Sequence, residues 1–268
     1  MWKPETITSA ANPLLKDVKR AIARGSLTES GWCVAETFHL LEEALHSPCA
    51  VKTVLVSETK FGGVEARLRG SPDVKLMVLP DALFATVAAT ETSQGVIALV
   101  QPAAWNLDDL LRGAPLVVVL DGVQDPGNAG TIIRTAEAFG ITGVVFLKGT
   151  VSPYNPKTLR ASAGSLFRVR YVHGVGGEFM GKTLAERGVT LYAGVPAGSG
   201  KAVRPLATVD LTGASGLIVG NEARGVGAEL RAAAQDVAIP TVGVESLNAA
   251  MAAGILMYEA RRQRALGA

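Results

Sequence analysis

Two alternations of apolar runs with amphipathic stretches, separated by a break, organise this chain. Between residues 10 and 100, helical periodicity over Asn12 to Arg24 and Phe38 to His46 is interleaved with short β-branched runs. The runs are Trp32 to Ala35, Val51 to Val56, Val74 to Val78 and Val96 to Val100. The stretch Gln101-Pro102-Ala103-Ala104-Trp105-Asn106 ends that pattern, and a second alternation starts at Leu116. The chain therefore divides into a small α/β domain over 1–102, a linker over 103–115, and a second α/β domain over 116–268.

The second domain reads as strands LVVVL (116–120), GVVFL (143–147), 169–172, VTLYA (189–193), GLIVG (216–220) and VAI (237–239). Its helices are predicted at 131–139, 156–165, 178–187, 228–235 and 247–264. Near-continuous apolar strands between amphipathic helices imply a parallel sheet covered on both faces. In such sheets ligands gather beyond the carboxyl ends of the strands, so chemistry is sought in the strand-to-helix loops.

Composition narrows the function classes. The 268 residues are 48% hydrophobic and 19% charged, and neither an apolar run long enough to span a bilayer nor an N-terminal charged-then-apolar leader stands out. A soluble, cytoplasmic protein without membrane association is expected. Two cysteines, Cys33 and Cys49, and three scattered histidines supply no zinc cluster, so no metal is expected. The net charge of +2 is too mild to announce nucleic-acid binding by itself. The opening segment is locally basic, with Lys3, Lys16, Lys19, Arg20 and Arg24 against Glu5 and Asp17, which fits RNA contact and a solvated helix face equally.

Three near-motifs fail. GVPAGSGKA (194–202) lacks the first glycine and the hydroxyl of a phosphate-binding P-loop, and GVGGEF (174–179) puts Phe179 where a dinucleotide fingerprint needs glycine. GASGL (213–217) is not a hydrolase elbow, and no histidine follows it.

Three strand-to-helix loops carry the candidate chemistry. In LDGVQDPGNAGTIIRTAEAFG (120–140), Asn128 stands where a helix N-cap is expected, and Arg134 six residues on leans back toward the loop mouth. An exposed Arg134–Glu137 pair, worth roughly 0.2 to 0.5 kcal/mol, is the plain alternative. A cation leaning into the positive end of a helix instead calls for an anionic ligand. In GLIVGNEARGVG, Glu222 follows the strand end by two residues. In IPTVGVESLNAAMAAGILMYEARR, Ser246 is the expected N-cap and Asn248 falls in the first helical turn. Leu247, Ala250, Met251, Gly254, Ile255 and Tyr258 share one face there, with small residues that permit close packing, either in the core or on a second subunit.

Taken in order, D-x-x-x-D-P-x-N-x-G-x-x-x-R, G-N-E-x-x-G-x-G and I-P-x-x-G-x-x-S-L-N resemble the three motifs of the SpoU (TrmH) family of RNA ribose 2'-O-methyltransferases. The likeness runs from about Leu116 to the end. More loosely, ITSAANPLLKDVKRA, CVAETFHLLEEAL and SQGVIALV resemble the substrate-binding domain of that family's ribosomal-RNA members.

The resemblance implies a methyltransferase domain with a deep trefoil knot, the cofactor S-adenosylmethionine, an RNA substrate and a homodimer using the last helix. The expected RNA is ribosomal, most readily 23S, with transfer RNA second. By position it implies active-site roles for Asn128, Arg134, Glu222, Ser246 and Asn248. It implies cofactor contacts for Gly194, Gly220, Ile239 and Leu247. Three positions depart from the family pattern: Ala129 and Thr241 change only packing, whereas Thr37 occupies a glycine position of the front domain's motif. A non-catalytic RNA-binding or ribosome-assembly protein of the same fold is the main competing reading, and a nucleotide-dependent oxidoreductase lacks its glycine fingerprint.

Overall fold

The computed structural model describes residues 4–199 and 202–266, so Lys3 of the basic segment, and Gly200 and Lys201 of the glycine-rich loop, lie outside the described residues. The chain forms two compact units, 1–104 with 154–168, and 105–153 with 169–268.

The first unit runs β1 (Glu5–Thr6), α1 (Pro13–Arg24), β2 (Cys33–Glu36), α2 (Phe38–Leu45), β3 (Ala50–Ser57), α3 (Phe61–Arg67), β4 (Lys75–Leu79), α4 (Asp81–Ala85) and β5 (Val96–Gln101). Its sheet has the order β1-β4-β3-β5-β2, parallel on the β1-β4-β3 side and antiparallel across β3-β5-β2. Leu15, Val18 and Ala21 of α1 recur at helical spacing and close the core over Val34, Leu55, Ile97 and Leu99. Asn12 caps α1 through its side-chain oxygen, Pro13 opens it, and Gly25 ends it in the left-handed region at φ 59°. Cys33 and Cys49 are free thiols, and burial pushes both pKa values up.

In the second unit the elements are α5 (Leu107–Leu110), β6 (Leu116–Asp121), α6 (Pro126–Ala138) and β7 (Gly143–Leu147). Between β7 and β8 in sequence comes α7 (Pro156–Ala161), which packs with the first unit. There His39 Nε2 lies 3.2 Å from the Ala163 carbonyl, and Arg168 pairs with Glu43. The second unit continues with β8 (Tyr171–Val175), α8 (Gly177–Glu186), β9 (Thr190–Gly194), β10 (Arg204–Pro205), β11 (Ser215–Gly220), α9 (Ala228–Ala232), β12 (Gln235–Ala238) and α10 (Ala249–Leu266). All seven strands are parallel, in the order β10-β12-β9-β11-β6-β7-β8. The five residues Leu116 to Leu120 are buried without interruption, as expected for a strand covered on both faces. The chain moves outward from β6 through β7 to β8, then returns to place β11 on the other side of β6. The loops after β6 and β11 therefore leave the sheet side by side, at the point where strand order reverses.

Helix boundaries correct the sequence reading in two places. α6 begins at Pro126, with Asp125 as its N-cap accepting from the Asn128 amide at 2.7 Å, so Asn128 is the third helical residue and not the cap. α10 begins at Ala249, and Asn248, not Ser246, caps it by accepting from the amides of Ala250 and Met251 at 2.9 and 3.2 Å. In both loops two residues of capping chemistry stand close together, and the pattern does not say which one takes the amides.

α10 settles which stripe enters the core, a choice the sequence left open. Its buried stripe is Ala249, Ala250, Ala253, Leu256, Met257 and Ala260, while Met251 and Tyr258 are 60% and 55% exposed. The helix carries two apolar stripes, and periodicity alone could not tell core from surface.

Thr37 adopts φ 137° and ψ 154°, a region open in practice only to glycine, while its hydroxyl caps α2 by accepting from Leu40 at 3.1 Å. The expected glycine position is thus a conformational one. Thr37→Gly relieves strain of about 1–3 kcal/mol, offset by about 0.5–1 kcal/mol of chain entropy and a few tenths for the weaker cap. Its urea midpoint should rise, by a stability gain on the order of 1 kcal/mol with an unchanged slope; a fall would show that the cap outweighs the strain.

Candidate active site

The loop after β6 and the loop after β11 are locked together before any functional side chain is placed. Asp121 Oδ2, at the end of β6, accepts from the Gly227 amide at 2.7 Å, and Asn221 Nδ2 donates to the Gly122 carbonyl at 2.7 Å. Asn221 Oδ1 accepts from the amides of Ala223 and Arg224, both at 3.0 Å, which shapes the turn carrying Glu222. A Cβ on Gly220 would stand 2.3 Å from the Gly225 carbonyl carbon, so this turn closes only over glycine.

On that frame the side chains of three loops meet. Asn248 Nδ2 donates to Asn128 Oδ1 at 2.9 Å, and Asn128 Nδ2 donates to Glu222 Oε1 at 3.0 Å. The direction of this relay is fixed from one end. Asn248 Oδ1 is held by the first amides of α10, so only its nitrogen faces Asn128, whose own nitrogen must then face the carboxylate. Asn128 and Asn248 of the relay border an apolar groove between α6 and α10. Thr131, Thr135, Phe139, Met251 and Tyr258 line it, with a volume near 490 Å³.

Arg134 does not join the relay. It is exposed, it makes no ion pair among the described residues, and it stands one stripe away from the Asn128–Thr131–Thr135 face. Because α6 starts at Pro126, Arg134 lies eight residues in, about 12 Å from the helix start, beyond the first turn where the dipole acts. The argument that its charge opposes a positive helix end therefore lapses.

A second pocket, near 100 Å³, lies where the loops after β9 and β12 meet the start of α10. Gly194, Ile239, Leu247 and Ser246 line it, so four of the expected residues come together here. Gly220 lies instead under the Gly225–Val226 backbone. A Cβ on Gly194 would come within 3.1 Å of Leu256 and 3.3 Å of the Ile218 carbonyl, which makes it a close-packing position. The pattern missed Val195, Pro196, Ala197, Val237, Thr241, Glu245, Ala252 and Leu256, which also line it; only their closeness in sequence to the expected residues could have pointed to them.

One wall of this pocket is anchored from behind. The guanidinium of Arg231 grips the buried Asp236 carboxylate at 2.6 to 3.0 Å and also donates to the Ser199 carbonyl at 3.1 Å, and the hydrogen-bonded carboxylate holds the arginine pKa up. Asp236 is the neighbour of Val237, whose carbonyl accepts from Val195 at 2.9 Å. At the far end of α10, Arg264 donates to the carbonyls of Leu211, Ala114 and Pro115 at 2.9 to 3.0 Å, fixing the helix against the starts of β6 and β11. No group of three or more potential metal ligands occurs among the described residues, and no helix there is long and apolar enough to cross a membrane.

Residues 115–258 match the SpoU rRNA Methylase family, and residues 12–98 match the MRM3-like substrate binding domain. The chain is 36% identical over 259 residues to the Bacillus subtilis 23S rRNA (guanosine(2553)-2'-O)-methyltransferase RlmP, covering 95% of this chain and 98% of that one. Over 165 residues it is 40% identical to a Xanthomonas axonopodis 23S rRNA (guanosine-2'-O-)-methyltransferase RlmB, 61% of this chain and 64% of that one. Among solved structures, the AdoMet-bound rRNA methyltransferase of Sinorhizobium meliloti superposes with a TM-score of 0.81 at 30% identity, covering 96% and 97% of the two chains. The AdoMet complex of AviRb from Streptomyces viridochromogenes gives 0.84 at 28%, covering 95% and 98%. With three motif loops converging on one relay and a family match over more than half its length, the chain belongs to the SpoU rRNA methylase family.

Proposed function

We propose that this protein transfers a methyl group from S-adenosylmethionine to a ribose 2'-hydroxyl of ribosomal RNA, 23S RNA being the first choice. The observation that carries the reading is the Asn248–Asn128–Glu222 relay, which brings the three loops to one place. Support also comes from relatives named as 23S rRNA 2'-O-methyltransferases and from neighbours crystallised with AdoMet.

The residues of the 100 Å³ pocket fit the cofactor. Ile239, Leu247 and Leu256 offer apolar walls to a flat base, and Glu245, the one acidic or basic side chain of the lining among the described residues, is opposite in sign to a sulfonium. The pocket is smaller than the about 300–1,000 Å³ of most small-molecule sites, so a ligand of this size also lies along the exposed 241–246 loop. Gly194, Ile239 and Leu247 hold it, and Gly220 shapes the neighbouring turn. When bound, the cofactor supplies an electrophilic methyl group. A knotted path for the C-terminal segment belongs to the same reading.

The chain's own residues do the positioning. Asn128 and Asn248 present a fixed row of amide groups to the ribose, Glu222 accepts from its hydroxyls, and Ser246 stands where pocket and ribose meet. Arg134 holds a phosphate, so that the 2'-hydroxyl is aimed in line. A guanidinium with a pKa above about 12 is a poor proton acceptor, so its role is charge and orientation. The 2'-hydroxyl is the atom that separates RNA from DNA, which makes RNA the natural substrate. The apolar α6–α10 groove, with Met251 and Tyr258 exposed, is the surface on which a second copy seats to form a homodimer.

Ribose methylation mapped by reverse-transcription stops, in RNA from cells with and without the gene, should reveal one site in 23S RNA that disappears with the gene; unchanged maps reject the reading, and a site in transfer RNA moves the substrate.

Arg134→Lys should keep turnover within about tenfold at neutral pH while Arg134→Ala loses about 10²–10³-fold, both binding S-adenosylmethionine normally by calorimetry. Equal loss in the two variants would point to a guanidine-specific role.

Met251→Glu with Tyr258→Glu should convert a dimer into monomers in analytical ultracentrifugation and abolish turnover. A wild-type protein that sediments as a monomer removes the dimer from the proposal.

A further inference from the structure

The first unit carries an open cavity near 330 Å³ that none of the chemistry above uses. It sits at one edge of the sheet. β3 and β4 end there at Ser57 and Leu79, β2 ends there at Glu36, and β5, which runs the other way, starts there at Val96. This is the edge at which α/β sheets collect ligands.

Its construction is unusual for a surface dent. Glu36 is 2% exposed, and both its carboxylate oxygens are engaged, by the Ala89 amide at 2.9 Å and the Thr90 hydroxyl at 2.7 Å. Gln94 Oε1 accepts from the Phe38 amide at 2.9 Å. A buried carboxylate and a side-chain amide thus pin the 89–95 loop from two sides. The strained Thr37 stands between Glu36 and Phe38, on the same edge. Gly95, at φ 77°, leaves room where a Cβ would come within 2.6 Å of the Ser57 hydroxyl.

The lining sorts into a floor and a rim. Phe84, Ala85 and Ala88 make an apolar floor, with Ala85 exposed. Lys60, Asp81 and Glu91 stand on the rim, one cation against two carboxylates. That balance disfavours phosphate and favours a neutral, flat ligand with N–H donors. Asp81 Oδ1 is taken by the Thr59 amide at 3.3 Å and hydroxyl at 3.1 Å, whereas Oδ2 has no partner among the described residues.

We propose that this cavity holds one unpaired guanine of the RNA. The base lies on the alanine floor, its adjacent N1–H and N2–H donors face the rim carboxylates, and Lys60 donates to O6. Single-stranded bases splayed onto apolar surfaces and read along their edges are the usual basis of sequence-specific RNA recognition. The inference rests on the RNA reading above and deepens it: the first unit reads a base away from the nucleotide that is methylated.

The test uses the full-length protein. Ala85→Trp fills the floor without removing a hydrogen bond, and Asp81→Asn removes the acceptor charge. With transcribed 23S RNA, each should raise KM for RNA at least tenfold while kcat at saturation, S-adenosylmethionine affinity and melting temperature stay as in wild type. Ultraviolet crosslinking of wild type to total cellular RNA, read by mass spectrometry, should place guanosine on the 81–95 peptide. Wild-type KM in Ala85→Trp, or crosslinks in the first unit only elsewhere or only to other bases, overturns the proposal. If wild type fails to methylate 23S RNA the enzymatic reading falls separately, and the crosslink alone then decides the cavity.

Discussion

A side-chain amide has a donor end and an acceptor end, and the site depends on which way two of them point. Asn248 spends its oxygen on the first turn of α10, so its nitrogen is the only group it can offer sideways. Asn128 must answer with its oxygen, and its nitrogen is then committed to Glu222. A helix start thereby agrees with the acceptor-only carboxylate of Glu222 on which end of the Asn128 amide faces which neighbour. An aspartate at 128 would break the sequence of donors, because it has nothing to give to Glu222 and would set two negative charges side by side. The relay is partly exposed, so its value lies less in stability than in presenting donors and acceptors in one fixed order.

That order is possible only because the sheet brings the loops together. β11 pairs with β6 along six residues, from Ser215 opposite Leu116 to Gly220 opposite Asp121, so both strands end level. Asp121 and Asn221 then cross between the two loops. The same edge logic applies to the first unit, where three strands end and a fourth begins at one edge of a mixed sheet and a buried glutamate braces the loop above them. In each unit the strands set the stage, and short polar side chains trade conformational freedom for a loop of one shape.

How much of this could be read from the sequence followed from what each signal reports. The parallel strands were legible because burial on both faces leaves a continuous apolar run, as at 116–120 and 216–220. Glu222, Asn128 and Asn248 were legible as candidates because they follow strand ends at a spacing that a motif preserves. Helix starts were not, since Asp125 competes with Asn128 and Asn248 with Ser246 for the same amides. The inward face of α10 stayed open because alanines and leucines fill one stripe while Met251, Ile255 and Tyr258 fill another, and periodicity weighs both alike. The attachment of residues 154–168 to the first unit left no local trace, because an amphipathic turn does not record which core it will join. The strain at Thr37 could be suspected only from the family's glycine.

Arg134 is the instructive remainder. It stands on the exposed side of α6 and has no ion-pair partner among the described residues. The dipole argument that first drew attention to it does not survive the earlier start of the helix. What is left is a solvated cation a few residues from a polar relay whose other members are neutral amides and one carboxylate. Removing it from water costs little only when an anion replaces that water, and the nearest described carboxylate of the relay is already hydrogen-bonded to Asn128. A substrate phosphate supplies such an anion without disturbing the relay. Under the proposed function the chain by itself would supply the orienting half of the site, and a phosphate of the RNA would complete its charged half.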